Sequence, residues 1–402
     1  MPRNKPILLL SLGHACVDVY QGAVAALVPY FVAERAYTYA AASGVVLAAS
    51  LLSSVVQPLF GALTDRWPTP WLLPAATVVG GLGIGLSGLT GSYAATLTFV
   101  AVSGLGVAAY HPESARVARL ASAGSHSAMG WFSLGGNLGF ATAPLLVTGV
   151  VAAGGLRLTP LLVLPALVGA VLCLPVLRAV AGEAAARGTG VPPAVGADDV
   201  RSFTRLSLAV ICRSVVFVGL STFVGLYAPE RVGGGAAAGT AALFVLYLGG
   251  AVGSVLGGRL ADRWDRVTVA RRAYLLGVVA VAGVVLVPGP LFYGCVALTS
   301  IALYVPFSLQ VTLGQDYLPN RVGTAGGITL GLTVSVGGLA GPFLGRLADA
   351  ASLRTALLPL ILMPALSWLA LRGLPEPGAG PRPGPGTPRP PARRVAGRGS
   401  SK

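Results

Sequence analysis

Gly61-Ala-Leu-Thr-Asp65-Arg66-Trp67 recurs as Gly258-Arg-Leu-Ala-Asp262-Arg263-Trp264, 197 residues further on. Each copy ends a long apolar run and opens a short polar loop. A second echo lies later in each half: Leu134-Gly-Gly-Asn-Leu-Gly-Phe-Ala-Thr-Ala-Pro144 against Val336-Gly-Gly-Leu-Ala-Gly-Pro342. Two motifs repeated in the same order and polarity divide the chain into two related halves. Parallel halves built of apolar helices are an architecture of secondary transporters, with the cargo path between them.

The composition agrees. Of 402 residues, 54% are hydrophobic and 10% are charged, against about 25% charged in a soluble domain. Apolar runs recur from the first ten residues almost to the end, which excludes a soluble enzyme on a single anchor. They run continuously instead of alternating, which excludes a membrane β-barrel. At about 20 residues per crossing the length predicts an all-α membrane protein of twelve helices in two pseudo-symmetric six-helix bundles. The expected spans are 7–33, 39–63, 71–90, 93–116, 127–152, 159–180, 205–229, 237–260, 270–288, 290–315, 322–347 and 355–372. The domains expected from them are a first bundle over 1–180, a linker over 181–203, a second bundle over 204–374 and a tail over 375–402. The tail is Pro, Gly, Arg and Ser, a composition that cannot bury a core. It either touches anionic lipids or stays solvated.

The net charge of +15 comes from 26 Arg and 2 Lys against 13 acids. Its placement in loops and the tail argues for membrane topology and against nucleic-acid binding. With the N-terminus in the cytoplasm, 22 basic residues fall on the cytoplasmic side and five opposite. The positive-inside rule therefore puts both termini in the cytoplasm. The first apolar run is long enough to remain as a span and is not read as a cleaved signal. Abundant Arg, Ala, Gly and Pro with two lysines points to a GC-rich bacterial genome, hence a bacterial inner membrane. Cys16, Cys173, Cys212 and Cys295 lie in apolar runs at unrelated spacings and form no metal motif. No phosphate-binding Gly-x-x-x-x-Gly-Lys-Ser/Thr is present, so the energy source is an ion gradient and no cofactor is expected.

A few polar residues interrupt the spans. Asp18 lies about 16 Å into span one by helical rise, and His14 and Gln21, at −4 and +3, share its face. An ionisable group at that depth must face a cavity, and a carboxylate there can exchange a proton near neutral pH. Asp18 with His14 is thus a candidate proton site, or else Asp18 is a fixed partner of another helix, for example of Arg213. Arg213, read as about 10–12 Å deep, is the counter-charge to Asp18, a clamp for an acidic cargo group, or a side chain reaching the interface. In span four, Glu113 and Arg116 stand i, i+3. With His111 they fall toward the cytoplasmic end of the span: the two simply pair with each other, or they join Asp65 and Arg66 in a cytoplasmic gate, with Gly61 and the second-half Asp262 and Arg263, or His111 and Glu113 relay protons. Gln21, Asn137, Gln310, Tyr110 and Phe307 are candidate lining residues of the cargo cavity; each polar one serves equally well to bridge helices.

Gly-x-Leu-x-Asp-Arg, duplicated and set among twelve spans, resembles the signature of the major facilitator superfamily. A narrower resemblance rests on Gly13-His14 with Asp18 and Gln21-Gly22-Ala23, and on Ser54-Val-Val-Gln57-Pro58-Leu-Phe-Gly61. It continues in Gly104-Leu-Gly-Val-Ala-Ala-Tyr-His111-Pro112-Glu113, Ser133-Leu-Gly-Gly-Asn137 and Leu318-Pro319-Asn320-Arg321-Val-Gly323. These look like the fosmidomycin-resistance branch of drug exporters. The resemblance implies a monomeric, proton-coupled antiporter of small molecules or antibiotics working by alternating access, not an enzyme. Gly135, Gly139 and Pro144 resemble the span-five antiporter motif, glycines for close packing and proline for a bend. After Asp65-Arg66 the superfamily's basic residues are replaced by Trp67-Pro68-Thr69-Pro70. The alternatives are an importer or symporter on the same scaffold, a membrane sensor, and a membrane-embedded enzyme.

Overall fold

A computed structural model describes residues 5–67, 69–122, 126–181 and 197–377. Most of the linker and nearly all of the tail lie outside the described residues. The first half contains α1 (Lys5–Arg35), α2 (Tyr39–Arg66), α3 (Leu72–Ser87), α4 (Tyr93–Ser122), α5 (His126–Gly154) and α6 (Leu164–Ala181). The second contains α7 (Val200–Val232), α8 (Gly235–Ala261), α9 (Arg266–Leu286), α10 (Leu291–Tyr317), α11 (Val322–Ala350), α12 (Leu353–Leu357) and α13 (Leu362–Leu371). A 3-10 segment, Gly155–Val163, joins α5 to α6, and another, Leu358–Ile361, joins α12 to α13. No strand occurs among the described residues.

Among the described residues, eight stretches are long and apolar enough to cross a membrane. One of them, Ala128–Leu177, is 50 residues long and contains most of α5 and of α6. Tyr39–Leu51 and Leu72–Ser87 are shorter apolar helices. The exterior is itself apolar: Val279 is 69% exposed, Phe343 72% and Leu291 74%. In the interior, by contrast, Asp18, Glu113, Arg213 and Gln310 are all 5% exposed or less. Apolar outside with ionisable groups inside is the arrangement that a hydrocarbon solvent selects.

Side-chain caps set the helix starts. Thr38 Oγ1 accepts the Ala41 N–H at 3.1 Å, Asp199 Oδ1 that of Ser202 at 3.0 Å, and Asp265 Oδ1 that of Thr268 at 2.8 Å. Between α7 and α8, Gly233, Gly234 and Gly235 have φ of 73°, 79° and 56°, a left-handed run that only glycine adopts cheaply.

Small residues decide where the helices meet. Within the first half, α1 lies on α5, and a Cβ on Gly135 or Gly139 would strike the Ser11 or Ala15 carbonyl. Between the halves, α2 crosses α11. A Cβ on Gly345 would stand 2.7 Å from Ala40 Cα, and one on Gly338 would meet Ser50 Oγ. Thr148 on α5 and Thr240 on α8 share a 2.6 Å hydrogen bond, and the Tyr30 hydroxyl donates to Thr148 at 2.9 Å. At the same end of the bundle, Asp349 of α11 accepts the first two N–H groups of α2, from Tyr39 at 2.8 Å and Ala40 at 3.0 Å. These contacts run from mid-bundle to the Asp349 end, so the halves are joined there.

Candidate functional site

In mid-bundle, three side chains from α1 and α4 converge. Asp18 is 5% exposed. Its Oδ2 is 3.2 Å from His14 Nε2 and its Oδ1 is 3.2 Å from His111 Nε2. Gln21 Nε2 also donates to Oδ1, at 3.1 Å. The other nitrogen of each ring faces a main-chain carbonyl: His14 Nδ1 is 2.9 Å from Phe132 O, and His111 Nδ1 is 2.8 Å from Val107 O. His14 stacks on Phe132 with centroids 4.3 Å apart and meets His111 edge-on at 5.4 Å. Gly136 makes room for the cluster, since a Cβ there would strike Asp18 Oδ2. One ligand-type atom from each side chain lies within 4.8 Å of the others. Each imidazole nevertheless faces its own carboxylate oxygen, which is the geometry of two ion pairs and not of one coordination point.

The sequence grouped His14, Asp18 and Gln21 on one face but placed His111 toward a helix end. The difference is a helix length. Span four was expected to end at 116, and α4 runs to Ser122. Eleven residues then separate His111 from the end of α4, and thirteen separate Lys5 from Asp18. These are about 17 and 20 Å of rise, so the two side chains stand at one level. Glu113 turns away from this cluster. It is fully buried and takes both Arg116 Nε, at 2.8 Å, and Nη2, at 2.5 Å.

Arg213 is the corresponding charge of the second half. It is thirteen residues into α7, as Asp18 is into α1, hence about 20 Å deep. It is 1% exposed, lies over the Phe307 ring at 4.9 Å, and its Nη1 donates to Leu303 O at 3.5 Å. The groups within ion-pair distance of the Asp18 carboxylate are the two histidines and not Arg213. An aromatic file links the regions. Phe140 of α5 meets Tyr247 of α8 at 5.3 Å, Tyr247 meets Phe217 at 6.4 Å, and Phe217 meets Tyr304 at 5.4 Å. Tyr304 then meets Phe307 at 5.9 Å, and it lies in electrostatic range of both Asp18 and Arg213.

The remaining candidates are dispersed. Tyr110 is buried, 6.1 Å from His14 by ring centroids. Gln310 donates to the Tyr274 hydroxyl at 2.7 Å and so bridges α10 to α9. Asn137 donates to Ser133 O of its own helix at 3.3 Å. Gly61 lies on α2 against α4, where an added Cβ would stand 3.8 Å from Pro112 Cβ. Asp65 and Arg66 fall in the last turn of α2, and their side chains lie outside the described residues. Asp262 and Arg263 are exposed in the turn after α8, and no ion pair joins them among the described residues. Pro144 lies beside Pro29, Thr148 and Leu243 at the junction of α1, α5 and α8. All four cysteines are free thiols.

At the end opposite Asp349, an ion-pair network was not singled out by sequence. Arg266 binds Asp316 at 2.7 Å and Glu376 at 2.6 Å, and Asp198 faces Arg321 at 3.4 Å. Asn320 and Arg321 carry a family resemblance but no sequence signal for this contact. Their partner Asp198 lies in the stretch read as linker, where spacing carries no contact signal.

Helices with an apolar exterior, two repeated halves and buried ionisable groups at mid-bundle define a multi-pass membrane transporter. The chain belongs to the Major Facilitator Superfamily, whose profile matches residues 10–342. It is 29% identical over 371 residues to the fosmidomycin resistance protein of Escherichia coli K12, covering 90% of this chain and 91% of that one. It is 28% identical over 381 residues to the MFS-type transporter YfnC of Bacillus subtilis 168, with the same coverage. The solved structure of the nucleoside transporter NupG superposes with a TM-score of 0.74 at 11% identity, covering 92% of this chain and 100% of that one. An inward-facing bacterial homologue of the human lysosomal transporter Spinster superposes at 0.73 and 16% identity, covering 92% and 97%. At those identities the likeness is one of fold.

Proposed function

We propose that this chain is a proton-coupled secondary transporter that exports small molecules, antibiotics among them, by alternating access. The reading uses twelve crossings, two bundles joined by the linker, and both termini in the cytoplasm of a bacterial inner membrane. The protein acts as a monomer, with the lipid bilayer as its solvent. One observation carries the coupling: Asp18 is buried at mid-bundle between two imidazoles. Such a group gains and loses protons without leaving the transport path. A cargo that takes the donor of Gln21 and the carboxylate of Asp18 competes with protons for one site, which is the condition for exchange. The E. coli relative is named for fosmidomycin resistance, and a phosphonate drug of that kind leads the cargo screen.

In this cycle the Asp349–α2 contact and the Thr148–Thr240 bond hold the outer side closed. The inner gate formed by Gly61, Asp65, Arg66, Arg116, Asp262 and Arg263 closes in the opposite state. Arg213, Phe307 and Tyr304 form the second-half wall of the cargo cavity.

A second reading is favoured by one feature. Adding protons to the Asp18 cluster makes the cavity that also holds Arg213 more positive, so an anionic cargo would travel with protons and not against them. Both readings are tested in proteoliposomes under an imposed pH gradient. Wild-type protein should drive cargo flux, and Asp18→Asn should abolish it while eluting as a folded monomer. Full gradient-driven flux in Asp18→Asn rejects the coupling assignment. The sign of the pH change on adding cargo separates exchange from cotransport.

A further inference from the structure

We propose that the coupling site is a two-proton cluster, His14–Asp18–His111, and that the conformation described is its fully loaded state. The inference rests on the proton-coupled reading above. It follows from the hydrogen-bond roles that the geometry leaves open.

Each Nδ1 faces a carbonyl oxygen, of Phe132 at 2.9 Å and of Val107 at 2.8 Å. A carbonyl only accepts, so Nδ1 carries the hydrogen in both rings. In a neutral ring Nε2 is then a bare lone pair. Both Nε2 atoms stand 3.2 Å from carboxylate oxygens, one on Oδ2 and one on Oδ1, that of His14 buried and within ion-pair distance but off the line of a hydrogen bond. With no added proton, each contact sets a lone pair against an anion inside a buried site, where water cannot separate them. One proton per contact, on the imidazole or on the carboxylate, turns repulsion into attraction. Two contacts therefore hold two protons. The cluster's net charge is +1 when loaded, 0 with one proton and −1 when empty.

The surroundings leave this count undisturbed. On α1 the nearby titratable group is Cys16, on α4 Tyr110, on α6 Cys173 and on α10 Tyr304. All are thiols or phenols, which are uncharged at neutral pH. At the cluster α5 contributes the Phe132 ring and carbonyl and the bare Cα of Gly136. In the second half, Tyr304 lies in electrostatic range of both Asp18 and the fixed cation Arg213.

Emptying the cluster has a mechanical outlet. His111 precedes Pro112, which leaves α4 without one backbone donor at that point. Repulsion between His111 and Asp18 thus acts where α4 bends most easily, in the turn that also holds Glu113 and Arg116.

The chain has three histidines, His14, His111 and His126, so 15N-histidine NMR of the full-length protein in lipid nanodiscs resolves the question. His14→Gln, His111→Gln and His126→Gln assign the signals. The expected result is two rings with hydrogen on Nδ1 throughout. Their Nε2 signals should change in two coupled steps that together account for two protons. A ring that carries its hydrogen on Nε2 when neutral, or uptake of a single proton by the pair, overturns the proposal. Because the decisive spectrum is that of the wild type, it does not depend on a variant folding. The two readings fail separately. A one-proton pair with intact gradient-driven flux removes the cluster and leaves proton coupling. A two-proton pair with no gradient-driven flux does the reverse.

Discussion

Gly136→Ala is the smallest change that reaches the cluster. The new Cβ would lie 2.7 Å from His14 Cε1 and 2.8 Å from His14 Nε2, and closer still to Asp18 Oδ2. Carbon–carbon contacts are comfortable at about 3.5–4.0 Å, so the imidazole must retreat by roughly 1 Å. It has nowhere to go at constant contacts. One ring face is stacked on Phe132, Nδ1 is held by the Phe132 carbonyl, and Nε2 faces Asp18. Overpacking of this kind costs about 1–3 kcal/mol. If that cost falls on the proton-loaded geometry, gradient-driven flux drops by about 5- to 150-fold. Gly149→Ala, on the same helix, meets nothing within 4 Å and serves as the matched control. Both variants are compared with wild type in proteoliposomes under the same pH gradient, alongside thermal stability in detergent. The control should stay within about twofold of wild type, because an exposed Gly→Ala change in a helix is neutral or favourable. Wild-type flux and pH dependence in Gly136→Ala would refute the claim that this glycine is there to admit the cluster.

Asp349→Asn removes the charge that caps the start of α2 across the two halves. The contact is worth about 0.3–1 kcal/mol at a helix N-terminus, so cysteine accessibility from the Asp349 side should rise by about two- to fivefold, and unchanged labelling argues against a latch. Arg213→Lys keeps the charge but loses the planar stack on Phe307; it should raise KM for an anionic cargo while leaving the histidine titration as in wild type, and an unchanged KM removes Arg213 from the cargo wall. Glu113→Ala deletes a fully buried acceptor of two Arg116 bonds. A loss of about 1.5–3 kcal/mol for bonds to a charged group should appear as a lower Tm in detergent.

The parts of the site that share one helix were legible in the sequence. His14, Asp18 and Gln21 fall on one face by helical period alone, and they do meet in space. Glu113 and Arg116 pair at i, i+3 for the same reason. Contacts between helices were legible only as well as the helix ends. His111 reaches Asp18 because α4 continues to Ser122, beyond the point where hydropathy falls off as Arg116 and Arg119 enter. A helix end marked by charge is a membrane boundary, and α4 outruns its own apolar stretch. Arg213 looked shallow for the matching reason, since α7 starts at Val200 on the Asp199 cap and not at 205. Asp349 had no local signal at all. Its partners are 310 and 309 residues away, and what brings them together is the glycine-lined crossing of α2 and α11. The repeat, by contrast, was plain, because it is written in residues that recur at a fixed distance along the chain.

That repeat also makes the two mid-bundle charges unequal in an informative way. Asp18 and Arg213 hold the same position in the first helix of each half, thirteen residues in, yet they carry opposite signs. They are not paired with one another. Asp18 is enclosed by groups that exchange protons, whereas Arg213 stays charged at any accessible pH. On the proposed coupling reading, the first of these two sites changes its charge while Arg213 stays fixed. Loading moves the first site from −1 to +1 against a constant cation. The same step that weakens attraction between the halves makes the cavity more receptive to an anion and less so to a cation. A cationic or neutral cargo that binds Asp18 competes with protons, and an anion held by Arg213 is recruited by them. Under the proposed coupling, exchange or cotransport would follow from the charge of the cargo on one scaffold, and the direction of the pH change on adding each class of cargo would report which half of the site it uses.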